Sequence, residues 1–311
     1  MIDRRTLMLG ALGALGPGLA GRAGALPPPG PLLPEPDQWI DLWPGEAPGL
    51  PSPPPAEEVR ERSTDPTYND RAIFHVRRPR LAMFRPARPN RAAVLLIPGG
   101  SYARVVMDKE GFESARWLAA RGITAFVLFY RLALDHWVSG AETSLTDAQR
   151  AMRLVRARMP AGGKVAVLGF SAGGHVAADL VARFAPDARP DAAGLLYPVI
   201  AMSGPAAHGE SRLNLLGPNA TAEEERVHDP SRNIGAQTPP CFLVHAEDDP
   251  VIPVANTLMM REALRARGIA VETHLFPDGG HGFGIRLAQG HSAAIWPDLF
   301  FAWGRRQELW P

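Results

Sequence analysis

A serine stands between glycines in the stretch Val165-Ala166-Val167-Leu168-Gly169-Phe170-Ser171-Ala172-Gly173-Gly174-His175. Apolar residues lead into the first glycine and small residues follow the second, the pattern of a buried strand turning sharply into a helix. A serine hydroxyl is a poor nucleophile, so it must reach a base and a carbonyl carbon without crowding. A strained turn presents it that way, and the flanking glycines keep side chains clear of strand and helix. The amide of Ala172 then faces the place where negative charge would develop, helped by the positive end of the helix. These residues predict acyl transfer with Ser171 as the nucleophile.

The base must come from elsewhere, and nine histidines are available. His281 lies in Phe276-Pro277-Asp278-Gly279-Gly280-His281-Gly282-Phe283-Gly284, directly after an apolar strand pattern. Glycines on both sides would let its imidazole reach across the sheet edge toward Ser171. His291 is the alternative, while His274 (inside a strand pattern) and His175 (on the nucleophile's helix) read as structural. A carboxylate should orient the imidazole and stabilise its charged form. The segment Cys241-Phe242-Leu243-Val244-His245-Ala246-Glu247-Asp248-Asp249-Pro250-Val251-Ile252-Pro253 offers three. Asp249 is preferred, because its spacing to Ile252-Pro253 places it in the loop before the next helix; Asp248 and Glu247 stay open. A second set of oxyanion donors is expected from Pro98-Gly99-Gly100-Ser101-Tyr102, where two glycines let the backbone approach a substrate oxygen. The amides of Gly100 and Ser101 are assigned to it.

Strands and helices that could hold these groups alternate from residue 70 onward. Strand patterns cover Arg71–Val76, Arg80–Phe84, Ala92–Ile97, Ile123–Phe129, Val165–Leu168, Ala193–Tyr197, Phe242–His245 and Val271–Phe276. Helical spacing covers Glu110–Ala120, Leu145–Met159, Gly174–Phe184, Val254–Arg267 and Ile295–Trp310. The alternation predicts one α/β domain, residues 70–311, around a mostly parallel sheet with helices on both faces. The stretch Pro198 to Pro240 reads as a long irregular loop of the kind that often shapes a binding site, and the expected fold has a short cap or none. Residues 26–69 are rich in proline and should lie extended over that domain, with Trp43 as an anchor.

The 311 residues are 46% hydrophobic and 21% charged with a net charge of +1, which builds a core and argues against a nucleic-acid partner. One cysteine, Cys241, excludes a disulfide framework and thiolate metal sites. At the N-terminus, Arg4-Arg5, an apolar run from Leu7 to Ala20 and Ala23-Gly24-Ala25 read as an export signal over residues 1–25, of twin-arginine type. That run is shorter than the about 18 apolar residues a membrane span needs. A periplasmic or secreted protein with no stable membrane insertion after signal removal is expected. Asn219-Ala220-Thr221 is a glycosylation sequon that reads as chance in such a protein.

The segments Leu42–Gly49, Pro98–Tyr102, Ala125–Arg131, Asp147–Arg153, Gly169–His175, Pro239–Pro253 and Gly279–Gly284 together resemble the α/β-hydrolase superfamily. Within it they resemble bacterial serine esterases of the acetyl-xylan-esterase-like group, often labelled xylanase-like. The resemblance implies the α/β-hydrolase fold, with Ser171, Asp249 and His281 in the order nucleophile, acid, base. It also implies that Tyr102 lines the acyl pocket and that Asp147 holds the helix behind the active site. Where the group commonly has a third glycine this chain has Ser101, so an amide donor survives in a narrower or more polar surrounding. The implied activity is hydrolysis of short-chain esters, foremost acetyl groups on carbohydrate, with no cofactor and no metal. A feruloyl or broad-specificity carboxylesterase is the enzymatic alternative. The non-enzymatic one is an inactive hydrolase fold serving as a binding module, which would predict a broken triad. A glycosidase would need two carboxylates paired across a sugar, and nothing in the sequence specifies such a pair.

Overall fold

Ala93–Ile97 and Val165–Phe170 are apolar without interruption, and every residue of both is buried, as a strand covered on its two faces must be. The computed structural model in which they sit describes residues 35–311; the export signal read over residues 1–25 lies outside that range. In chain order the strands are β1 (Gln38–Asp41), β2 (Glu58–Glu61), β3 (Arg71–Phe74), β4 (Arg80–Phe84), β5 (Ala93–Ile97), β6 (Val105–Val106), β7 (Thr124–Phe129), β8 (Val165–Phe170), β9 (Ala192–Leu196), β10 (Cys241–Ala246) and β11 (Val271–Phe276). The helices are α1 (Glu113–Ala119), α2 (Thr143–Arg156), α3 (Ser171–Ala182), α4 (Gly209–Leu216), α5 (Ala222–Val227), α6 (Ala255–Ala266) and α7 (Trp296–Arg306).

The main sheet runs β1-β4-β7-β5-β8-β9-β10-β11, and β2-β3-β6 form a small second one. From β7 to β11 every pairing is parallel, whereas β1 and β4 join antiparallel at one edge. The chain leaves β5 for β7 on one side and returns to β8 on the other. This reversal opens a crevice beyond the carboxyl ends of β5 and β8, where open α/β sheets bind ligands. The register pairs Ile97 with Gly169, which sets the turns after β5 and β8 side by side. Along β8 successive residues face opposite ways: a Cβ on Gly169 would lie 2.6 Å from Ala177 of α3. Phe170 meets Trp296 of α7 at a ring separation of 6.1 Å. Helices therefore cover both faces, α2 and α3 on one and α1 and α7 on the other, where Trp117 and Phe301 lie 6.2 Å apart.

Three segments differ from expectation. Of the segment read over residues 26–69, the part up to residue 34 lies outside the described residues, and residues 35–69 do not only drape over the domain: β1 extends the main sheet and β2 pairs with β3. The exposure pattern of β1 leaves only Ile40 buried, so an edge strand of this kind carries almost no apolar periodicity to read. The stretch 198–240 holds α4 and α5, the second closed by a capping box between Thr221 and Glu224. The helix read over Glu110–Ala120 begins instead with a wide π-type turn at Asp108–Phe112 and continues as α1. Behind the sheet, Asp147 and Arg131 are both fully buried and bonded through Nη2 at 2.7 Å. Trp43 donates its indole N–H to the same carboxylate at 3.1 Å, and this bond anchors the N-terminal segment.

Candidate active site

Ser171 directly follows β8 and begins α3 with φ at 53°, in the left-handed region that costs a non-glycine residue about 1–2 kcal/mol. The glycines around it make that turn possible. A Cβ on Gly173 would fall 2.1 Å from the Ile97 carbonyl oxygen, and one on Gly169 would fall 2.4 Å from the Gly173 oxygen. Strand, turn and helix are thus pressed to backbone contact, and the Ser171 hydroxyl is left at the rim of the crevice with 7% of the residue exposed.

The Ser171 Oγ lies 2.9 Å from His281 Nε2, and His281 Nδ1 lies 2.7 Å from Asp249 Oδ2. Side chains 78 and 32 residues from Asp249 therefore meet it in one line. Burial alone would raise the Asp249 carboxyl, but N–H donors from His245, His281 and Ile252 outweigh it and hold it well below the usual carboxylate range. An ionised carboxylate only accepts, so the proton of His281 sits on Nδ1 and Nε2 is free to accept from Ser171. The other oxygen of Asp249 is held by the amides of Val251 at 2.8 Å and Ile252 at 2.9 Å.

The alternatives fall elsewhere. Asp248 accepts the Gly280 amide at 2.8 Å and so ties down the base loop without reaching the imidazole. Glu247 is exposed, its own amide bonded to the Phe276 carbonyl at 2.7 Å. His291 pairs with Asp278 at 2.8 Å on the surface behind the loop. His175 is buried and donates Nε2–H to the His228 carbonyl at 2.7 Å.

The turn after β5 is clamped through nearly all its other polar groups. Tyr130 donates to the Pro98 carbonyl at 3.0 Å, and the Gly99 carbonyl accepts the Val106 amide at 3.0 Å. The Gly100 carbonyl accepts Ala103 and Arg104 at 3.0 Å and 3.1 Å, and Asn214 of α4 donates to the Ser101 carbonyl at 2.8 Å. Gly100, Ser101 and Tyr102 all have positive φ, at 135°, 55° and 59°. At Gly100 the space also demands glycine, since a Cβ would meet the Arg104 oxygen at 2.2 Å. Ser101 in place of a third glycine thus adopts the left-handed backbone that glycine would take without cost. The turn sits next to Ser171: a Cβ on Gly99 would lie 2.8 Å from Ser171 Cβ.

Tyr102 does not face the crevice as a pocket wall. It is 1% exposed and its hydroxyl lies 2.5 Å from His175 Nδ1, so it braces the turn against α3. Because Nε2 of His175 donates, its Nδ1 accepts the phenol proton. Two supporting residues stand outside the site as read from sequence. His245, read only as part of a strand, is fully buried and points Nε2 at both Asp249 Oδ2 (3.2 Å) and the Ile252 carbonyl (3.0 Å). Asn214 lies in the stretch read as irregular. A polar residue at a buried strand position is the hint that could have found His245.

Residues 99–285 match a family described as having the alpha/beta hydrolase fold. The chain is 35% identical over 210 residues to endo-1,4-beta-xylanase B of Butyrivibrio fibrisolvens, covering 63% of this chain and 33% of that protein. It is 30% identical over 214 residues to an acetylxylan esterase of Xylanibacter ruminicola, covering 66% and 44%. The chain therefore spans less than half the length of these two relatives. Among solved structures, an acetyl ester-xyloside bifunctional hydrolase from Caldicellulosiruptor lactoaceticus superposes with a TM-score of 0.71 at 28% identity, covering 88% of this chain and 97% of that one. A carboxylesterase from Lactobacillus plantarum, 22% identical, shares the fold with a TM-score of 0.63 over 82% of this chain and 98% of its own.

Proposed function

The chain belongs to the alpha/beta hydrolase fold family, and from that premise we propose that it is an exported serine carboxylesterase that removes short acyl groups, foremost acetyl groups from carbohydrate. The observation that carries this reading is the hydrogen-bonded line from Ser171 through His281 to Asp249, at 2.9 Å and 2.7 Å. His281 Nε2 takes the Ser171 proton as Oγ attacks the ester carbonyl carbon. The amides of Gly100, Ser101 and Ala172 hold the oxyanion, each such donor contributing about 3 kcal/mol to the transition state. The imidazolium, held by Asp249, returns its proton to the departing sugar oxygen and the acyl group stays on Ser171. A water then gives its proton to His281, its oxygen attacks the acyl carbon, and the acid leaves as the proton returns to Ser171. No cofactor enters the cycle.

Support for the acetyl and carbohydrate part comes from the acetylxylan esterase and the acetyl ester-xyloside hydrolase that the chain resembles. The test is an ester panel, acetyl through octanoyl with feruloyl and acetylated xylan, on the protein lacking residues 1–25. Fastest turnover on acetyl esters and acetate release from xylan are expected; a preference for octanoyl or feruloyl esters sinks the substrate assignment. Ser171→Ala should lose at least about 10⁴-fold in kcat, and a loss under a hundredfold removes Ser171 as nucleophile. The export part rests on Arg4-Arg5 and the apolar run behind them. Changing both arginines to lysine should leave the protein in the cytoplasm, and unaltered secretion would refute a twin-arginine route.

A further inference from the structure

One buried acid touches both sides of the reaction centre. Glu110, in the turn before α1, is 2% exposed. Its Oε2 accepts the Gly99 amide at 2.8 Å, next to the oxyanion donors. Its Oε1 accepts the Tyr197 hydroxyl at 3.2 Å. The Tyr197 oxygen itself accepts the amide of Gly284 at 3.1 Å, three residues beyond His281. The Tyr197 ring also packs edge-on against the His281 ring, their centres 5.1 Å apart, and against Phe283 at 4.6 Å. The carboxyl lies beside the nucleophile: a Cβ on Gly99 would be 3.0 Å from Glu110 Oε2 and 2.8 Å from Ser171 Cβ.

Burying an acid against these two neutral donors is an expensive way to fill space, because its lost hydration is repaid only by hydrogen bonds. Tyr197 adds local strain, with φ at 36° just past the end of β9. Both costs fall on residues that connect three chain segments which must be in mutual register for acyl transfer. The bonds leave little slack. The Gly99 amide can only donate, and the Tyr197 hydroxyl, with Gly284 on its oxygen, has its proton for Glu110.

We propose that Glu110 and Tyr197 form a positioning bridge that sets the spacing between the oxyanion turn and the base loop across Ser171. This rests on the serine esterase reading above. Neither side chain takes part in proton transfer; together they hold the Gly100 and Ser101 amides and the His281 imidazole at the separation that the tetrahedral intermediate requires. Displacements of about 1 Å at such a centre reduce rate by up to 10²-fold.

Tyr197→Phe keeps the ring against His281 and removes only the hydroxyl link. The experiment measures kcat per active site, counted with a fluorophosphonate titrant, together with KM and thermal unfolding, for Tyr197→Phe, Glu110→Gln, Glu110→Ala and the Tyr197→Phe/Glu110→Gln pair. In Tyr197→Phe, kcat per titrated site should fall about tenfold with KM within about twofold, since the loss is in positioning and not in substrate binding. Glu110→Gln should retain more activity than Glu110→Ala, because its amide oxygen can still accept one of the two donors. The double variant should fall no more than about twofold below the worse single one, as both break the same link. The proposal is overturned if Tyr197→Phe keeps kcat per site within twofold of the parent, or if the losses appear only in the titratable fraction or in KM. A parent protein that neither binds the titrant nor turns over esters instead overturns the esterase reading.

Discussion

Replacing Asp249 with asparagine exchanges one carboxylate oxygen for an NH₂ and changes almost no volume. One carboxylate oxygen faces the Val251 and Ile252 amides at 2.8 Å and 2.9 Å, the other faces His281 at 2.7 Å and His245 at 3.2 Å. Asparagine has one accepting oxygen and one donating NH₂. The two backbone amides cannot reverse, so the oxygen takes their side and the NH₂ confronts the imidazoles. His281 then holds its proton on Nε2, where the lone pair is needed for Ser171. Forcing the productive tautomer leaves a buried donor unpaired, at about 2 kcal/mol. The imidazolium of the transition state also loses a neighbouring charge, worth about 4 kcal/mol at roughly 4 Å between charge centres and an effective dielectric near 20. The combined penalty of about 6 kcal/mol corresponds to roughly 10⁴-fold in kcat. The assay is steady-state hydrolysis of nitrophenyl acetate, with circular dichroism to verify folding. A folded variant that loses less than tenfold refutes the reasoning. Stability supplies a second readout. A depressed carboxyl stabilises the native state above its unfolded pKa of about 3.9, and that contribution disappears as pH falls through the lower native value. Urea midpoints of parent and variant should therefore differ at pH 7 and converge as the pH falls below about 4.

Asp147→Ala leaves the Arg131 guanidinium buried without its counter-charge, which should lower unfolding free energy by about 3–5 kcal/mol; urea titration showing under 1 kcal/mol would contradict the buried pair. Burial pushes the Cys241 thiol up to about 12, so iodoacetamide at pH 8 should label it only in denaturant, as read by intact mass. Asn214→Ala frees the Ser101 carbonyl and should reduce kcat about fivefold, near the worth of one hydrogen bond, with KM little changed; an unaltered kcat would mean the turn holds itself.

Much of this centre is legible from sequence because its members announce themselves locally. Gly169, Gly173 and Gly174 mark close backbone approach, and the short apolar run Ala92–Ile97, ending in Pro98-Gly99-Gly100, suits a strand covered on both faces. The choice among Glu247, Asp248 and Asp249 is different. Three adjacent carboxylates have the same type, and only the turn geometry decides that Asp249 reaches His281 while Asp248 reaches Gly280. The resemblance alone puts Tyr102 in the acyl pocket, and it carries no information on how a side chain leaves a left-handed backbone; at φ 59° Tyr102 turns inward to His175. Strands β1 and β2 escape because their stability comes from pairing with β4 and β3, not from an apolar face of their own. Glu110 meets Tyr197 across 87 residues, Tyr197 meets Gly284 across another 87, and His245 acts from within a buried strand, and no short motif encodes such contacts.

The left-handed backbone at Ser171 has an evolutionary consequence. Threonine offers the same oxygen, yet its extra methyl on Cβ makes this conformation a steric outlier. Cysteine and alanine, unbranched, can occupy the position. The alphabet available to the attacking atom is thus narrowed by a methyl group rather than by reactivity, so descendants of this sequence could exchange oxygen for sulfur more easily than one alcohol for another.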